Sequence, residues 1–367
     1  MLFIRQFLFP QLSIGVAKTF TIATLTTFTT TATINQPSYA SDINFLGIRL
    51  TDASSYAGDQ NFLGIRLSQA PKVTTPTAED FYNQGVDKLK KGDLQGAVAA
   101  FTQAIRLNPN YFNAYNNRGL ARIGLGDNKA AIEDFNQAVR INSNDANSYY
   151  SRGVARMGLG DYKEAIEDYN QVIRLNPNAF NAYNNRGLAR MLLQDNKGAI
   201  EDYNQALRIN PKDADTYSRR GFTRMLLQDN KGAIEDFNQV LRINPKDAQA
   251  YKLRGLARIK LGDYKAQIED YNQALRIDPN DADIYNNRGL ARYKLGDNKG
   301  AIEDYNQALR INPNLAEAYS NRGLARIKLG DKQGAITDLQ QAADIFKQQG
   351  KIQDAQEALE RISKLQK

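Results

Sequence analysis

Arginine and aspartate are the chemically capable side chains that recur most regularly in this chain. Arg118, Arg152, Arg186, Arg220, Arg254, Arg288 and Arg322 stand 34 residues apart, and Asp134, Asp168, Asp202, Asp236, Asp270, Asp304 and Asp338 follow them on the same beat. A guanidinium and a carboxylate at a fixed offset could form a catalytic pair, an anion grip, or an ion pair holding two elements together. The first unit discriminates, because Gln84 and Ala100 replace both partners at once. Partners lost together are a structural pair, so the pattern predicts contacts such as Arg186 with Asp202. The rest of the catalytic repertoire is thin. The chain has no Cys, no His and no Trp, which removes thiolate nucleophiles, imidazole bases and the common zinc ligand sets. No catalytic carboxylate pair stands outside the repeating pattern, so the expectation is a protein that is not an enzyme and carries no cofactor and no metal.

The elements that position these residues follow from the period. Gly85, Gly119, Gly153, Gly187, Gly221, Gly255, Gly289 and Gly323 recur every 34 residues, as do eight aspartates from Asp93 to Asp331. Each unit reads as two helices. In the first, Tyr183, Gly187 and Met191 share a face at four-residue steps. It stops where glycine suits a left-handed C-cap, as at Gly126 and Gly160, with Gln194 and Gln228 as exceptions. The recurring Asp then offers an N-cap to the second helix, which carries Ala199, Tyr203 and Ala206 and ends at an Asn-Pro turn. A lone hairpin cannot bury both faces, so neighbours must stack. The reading is therefore all-α: eight repeats over 78–349, a linker at 41–77, and an amphipathic capping helix at 350–367 with Ile352, Ala355, Leu359 and Ile362 on one stripe.

The pattern resembles the tetratricopeptide repeat (TPR) family. Tyr115, Gly119, Ala131, Phe135 and Ala138 fall on that family's aromatic-Gly-Ala-aromatic-Ala beat, and about three quarters of the chain is covered. The resemblance implies a right-handed superhelical solenoid of helix-turn-helix hairpins. Departures exist: Arg118 and its equivalents replace the family's Leu, Arg122 and its equivalents replace a Tyr, and Gln267 replaces a small Ala, which predicts looser packing in the sixth unit.

The resemblance also implies where a partner sits, since first helices line the concave face in this family. Two residues before the glycines stand Asn83, Asn117, Asn185, Asn287 and Asn321, with Ser151, Arg219 and Leu253 in the other units. This is similar to the asparagine ladder of the O-GlcNAc transferase superhelix, whose amides grip a peptide backbone, although no catalytic domain follows here. An Asn amide donates and accepts, which suits a peptide group read without regard to side chain; solvated surface Asn and local helix bonding are the plainer alternatives. Met157, Met191 and Met225, with Phe222, fall one turn further along and add adaptable apolar anchors, or else ordinary packing between helices. Both kinds of contact are needed, because five ladder bonds at ~0.5–1.5 kcal/mol each fall short of the roughly −8 kcal/mol of micromolar binding. The carboxylate clamp of chaperone-binding members is absent, since Val86, Leu120, Val154 and Leu188 follow the glycines. These residues point to a scaffold or adaptor binding extended peptide segments; the alternative is a structural spacer or self-assembling array.

Charge narrows the partners. The net charge of +8 is modest for 367 residues, and the repeated arginines are answered by Glu-Asp pairs such as Glu201-Asp202. No basic stripe calls for a phosphate backbone, so nucleic acid is excluded from the expected partners, as is a small-molecule substrate. The run from Asp278 to Asp283 lacks the glycine and the bidentate Glu of a calcium loop and reads as a turn plus an N-cap. The first 40 residues contain no acid, carry Arg5 and Lys18, are Thr-rich, and end in Ser38-Tyr39-Ala40. That pattern favours an export signal cleaved near Ala40 and a periplasmic or equivalent lumenal location. An uncleaved N-terminal anchor giving peripheral membrane association, and an organellar transit peptide, fit the same composition. Asn44–Leu50 is repeated unchanged at Asn61–Leu67; a duplication in a tolerant linker is one reading, occupation of the chain's own groove another.

Overall fold

The computed structural model describes residues 75–367; the expected export signal and the two copies of the duplicated segment lie outside the described residues. The described residues form seventeen α-helices and no strand. They fall in two compact units divided after Ile209.

The first unit contains four hairpins: α1 (Ala78–Lys90) with α2 (Leu94–Leu107), α3 (Phe112–Gly124) with α4 (Asn128–Ile141), α5 (Ala146–Leu159) with α6 (Tyr162–Leu175), and α7 (Phe180–Leu192) with α8 (Asn196–Ile209). The second contains α9 (Ala214–Leu226) with α10 (Asn230–Ile243), α11 (Ala248–Lys260) with α12 (Tyr264–Ile277), α13 (Ala282–Lys294) with α14 (Asn298–Ile311), and α15 (Ala316–Lys328) with α16 (Lys332–Gln348), followed by α17 (Ile352–Gln366). Within each unit every helix packs on the next, so each is an all-α solenoid of helix-turn-helix hairpins.

Local chemistry sets the helix bounds. Asp127, Asp229, Asp263, Asp297 and Asp331 each accept the backbone N–H three residues on, capping their second helices. First helices end at a left-handed residue, Gly126, Gly160, Gly262, Gly296 or Gly330, and at Gln194 and Gln228 in two hairpins. The recurring glycine inside the first helix is a close-approach residue. A Cβ on Gly153 would sit 2.8 Å from the Tyr169 ring, and one on Gly255 2.6 Å from the Tyr271 ring. Small first-helix residues thus admit the aromatic side chain of the second helix, and Tyr169, Tyr203, Phe237 and Tyr305 are fully buried there.

The arginine–aspartate pairs form as the sequence predicts, with more contacts than it reveals. Arg186 grips Asp202 through Nε and Nη2 at 2.5–3.1 Å, and Arg190 reaches the other oxygen of the same carboxylate at 3.0 Å. The remaining Arg186 nitrogen, Nη1, donates to Asn170 of the preceding hairpin at 2.5 Å. Tyr183 lies beneath the guanidinium, 5.4 Å from its ring centre. The same set recurs at Arg118, Arg152, Arg254, Arg288 and Arg322, with Thr102 replacing Asn for Arg118. The guanidinium therefore locks its own hairpin and fixes its register on the one before. The first hairpin has no described predecessor and has Gln84 and Ala100 at these positions.

In the sixth hairpin Gln267 is fully buried and Tyr271 still fills its site. One packing expectation needs correction. In α17, Ala355, Ala358 and Ile362 pack on Ala342, Ala343, Ile345 and Phe346 of α16, whereas Ile352 stays exposed at the helix start.

Candidate functional site

The expected partner face lies on the first helices. Three positions per helix matter, two before the recurring glycine, one after it, and four after it.

The ladder position is partly committed to stacking. Asn117 donates its amide to the Tyr82 hydroxyl at 3.1 Å, Asn185 to the Tyr150 hydroxyl at 3.0 Å, and Asn321 to Asn286 at 3.1 Å. In each case the acceptor belongs to the preceding first helix. Asn117 and Asn185 are only 6% and 8% exposed. Asn83 is exposed on the first hairpin and Asn287 is half-buried. A ladder of five unoccupied amides is therefore not what the geometry gives. The residue two before glycine points along the stack toward the neighbouring first helix, so three amides are already donating, with their carbonyl oxygens left as acceptors.

The expected apolar anchors divide similarly. Met191 and Phe222 are buried. Met157 is half-buried and packs against the cluster of Ala165, Tyr169 and Val172, and Met225 is half-buried. The position just after the glycine is apolar in every hairpin. Val86, Leu120, Val154 and Leu188 form a half-buried row in the first unit, and Leu256, Leu290 and Leu324 form one in the second. In the sequence Val86, Leu120, Val154 and Leu188 signal only the absence of a clamp, and Leu256, Leu290 and Leu324 carry no signal of their own; their regular partial exposure is the feature that sequence reasoning missed.

Electrostatics separates structural charge from available charge. Burial pushes the Asp134, Asp168, Asp236 and Asp270 carboxyls above their ordinary value, against the downward pull of their two arginines. These groups are sealed and fully partnered, and have no access to a substrate. Asp278 and Asp281 are likewise engaged: Asp278 accepts the Asn280 N–H at 3.1 Å, and Asp281 caps α13 through the Ile284 N–H at 3.0 Å while pairing with Lys252 at 2.6 Å. Among the described residues no group of His, Cys, Asp and Glu could hold a metal ion, and no helix is long and apolar enough to cross a membrane.

Family models agree with this architecture. A TPR repeat model matches residues 255–296 and 289–330, one tetratricopeptide repeat model matches 82–146 and 150–214, and a second matches 214–247 and 316–348. No curated protein matches the chain. Among solved structures, the C-terminal part of a TPR repeat-containing protein from Cytophaga hutchinsonii is 17% identical, with a TM-score of 0.58 over 65% of this chain and 98% of that one. A tetratricopeptide repeat protein from Parabacteroides merdae is 21% identical, with a TM-score of 0.50 over 68% and 98%. MamA is 26% identical, with a TM-score of 0.45 over 47% and 94%. At these identities the first two likenesses speak to the fold alone. The chain belongs to the tetratricopeptide repeat family, and its arrays make it a protein-interaction scaffold.

Proposed function

We propose that this chain is a non-enzymatic scaffold that holds extended polypeptide segments along the first helices of its hairpins, in a periplasmic or equivalent exported space. The observation that carries the reading is the row Leu120, Val154 and Leu188, half-buried and repeated on consecutive first helices. Aliphatic side chains spaced by one hairpin offer apolar contact to a chain laid across them. Beside them lie the carbonyl oxygens of Asn117 and Asn185, whose N–H groups are held by tyrosines. An amide oxygen fixed in this way accepts from a peptide N–H without ordering its own side chain, which lowers the entropic cost of binding. The apolar row supplies most of the affinity and the amides supply direction. The exported location rests on the composition of residues 1–40 and is tested by fractionating cells that express the full chain.

The binding face is tested by placing a photo-crosslinking residue at Val154 or, as control, at Glu167 on the second helix. A permanently unfolded polypeptide is expected to crosslink at Val154 and not at Glu167. Equal capture at both positions, or none at either, contradicts the proposal.

A further inference from the structure

The last three hairpins share a charge that the four before them lack. Five residues past the recurring glycine, α3, α5, α7 and α9 carry Gly124, Gly158, Leu192 and Leu226, which are uncharged, and only α1, with exposed Lys90, has a cation there outside the last three. In the second unit α11, α13 and α15 close on Lys260, Lys294 and Lys328, all exposed. These lysines are not required to finish a helix, because α3, α7 and α9 end at the same point without them. Each stands four residues from Leu256, Leu290 or Leu324, so a half-buried aliphatic side chain and an exposed ammonium share one face.

The opposite ends of these helices carry acids, but those acids are answered locally. Glu317 pairs with Lys351 at 2.7 Å. Burial raises the Asp283 carboxyl, with Lys252 pulling it back down, and on α9 burial raises the Asp215 carboxyl, with Arg219 pulling it back down. Lys260, Lys294 and Lys328 take part in no ion pair among the described residues. The aspartates in the turns beside them are already used, Asp263 capping through Ala266, Asp297 through Gly300 and Asp331 through Gly334. The unanswered charge on this face is positive.

From this run of unpaired lysines we propose that the last three hairpins recognise an acidic extended segment, its carboxylates meeting Lys260, Lys294 and Lys328 and its aliphatic residues meeting the row Leu256, Leu290 and Leu324. The inference rests on the scaffold reading above and names the chemistry of its partner. A polyproline II chain has three residues per turn, so an acid at every third residue puts its carboxylates on one side of the peptide.

The test is fluorescence anisotropy on the full chain with two labelled peptides, one with Glu at every third position between Ala and Pro residues, the other with Gln in place of Glu. The Glu peptide is expected to bind about tenfold tighter at low salt, as roughly three partly exposed ion pairs allow, with the difference shrinking as salt rises. The K260Q/K294Q/K328Q variant is expected to lose that preference and keep the Gln peptide's affinity. If both peptides bind wild type equally, or the preference survives in the triple variant, the lysine reading falls and the scaffold reading stands. Binding of neither peptide removes both. Lysine-dependent capture of the chain by phosphatidylserine vesicles, with no preference for the Glu peptide, assigns the face to lipid and overturns the proposal.

Discussion

Asp168 is clamped by two arginines from a single helix. Arg152 brings Nη2 to 2.6 Å and Nε to 3.1 Å, and Arg156 brings Nη1 to 2.7 Å on the other oxygen. The carboxylate is 2% exposed and the guanidiniums are largely covered. Arg152 also reaches Asn136 of the preceding hairpin at 2.7 Å. One buried anion thus joins the two helices of a hairpin while its cation registers that hairpin on its neighbour, and the arrangement explains why the charges repeat so strictly.

Removing the anion alone is expected to be costly. Asp168→Leu leaves two arginines facing each other in a partly desolvated site, and the expected loss is about 3–5 kcal/mol. Replacing the whole group with R152M/R156L/D168L is expected to restore most of it, since buried ion groups and well-packed apolar groups of similar volume come out nearly equal. Urea unfolding of the single and triple variants checks this; similar losses in both contradict the clamp as described.

The left-handed caps give a second expectation. Gln194 and Gln228 adopt φ of 66° and 63°, where the other hairpins use glycine. Gln194→Gly and Gln228→Gly are each expected to stabilise by a few tenths to about 1 kcal/mol, by relieving the Cβ crowding of that conformation. A fall in thermal midpoint in either variant counts against it.

Buried polar atoms without partners give a third. The Tyr305 hydroxyl is sealed and forms no hydrogen bond, burial drives its phenol well above the ordinary value, and Phe135 and Phe237 fill the same site in other hairpins. Tyr305→Phe is expected to be neutral or stabilising by up to about 1–3 kcal/mol. Gln267→Ala is expected to act in the same direction, because Ala233 and Ala301 occupy that position fully buried elsewhere. Destabilisation in both variants points instead to an unrecognised polar partner at each site.

The two asparagines at ladder positions are expected to behave differently. Asn185 bonds to Tyr150 within the stack, so Asn185→Ala is expected to lower stability by roughly 0.5–1.5 kcal/mol. Asn287 is half-buried, and Asn287→Ala is expected to leave unfolding within about 0.5 kcal/mol of wild type. Equal midpoints for the two variants contradict the difference between a stacking amide and an available one.

Much of the fold was legible because each signal was local and repeated. The glycine, the aspartate cap and the Asn-Pro turn each fix a short stretch of backbone, and the paired loss at Gln84 and Ala100 exposed a long-range contact without any structure. The second arginine on each aspartate was visible as a beat at Arg122, Arg156 and Arg190, but sequence spacing alone does not say that two cations share one anion. The candidate site was less legible. Whether Asn117 points into a groove or at Tyr82 depends on the angle between neighbouring hairpins, a three-dimensional quantity that no local pattern encodes. Burial of Met191 and Phe222, and partial exposure of Leu188, follow from that same angle.

The central claim is that extended polypeptide lies on the first-helix face, and the most direct measurement is the affinity of the full chain for an unfolded polypeptide before and after one charge is placed there. Leu188→Asp, compared with the outer-face control Glu201→Ala, is expected to weaken binding at least about tenfold, the loss of one buried aliphatic contact, with helical content unchanged in both. Unaltered affinity in Leu188→Asp, or equal weakening in the control, would contradict the account.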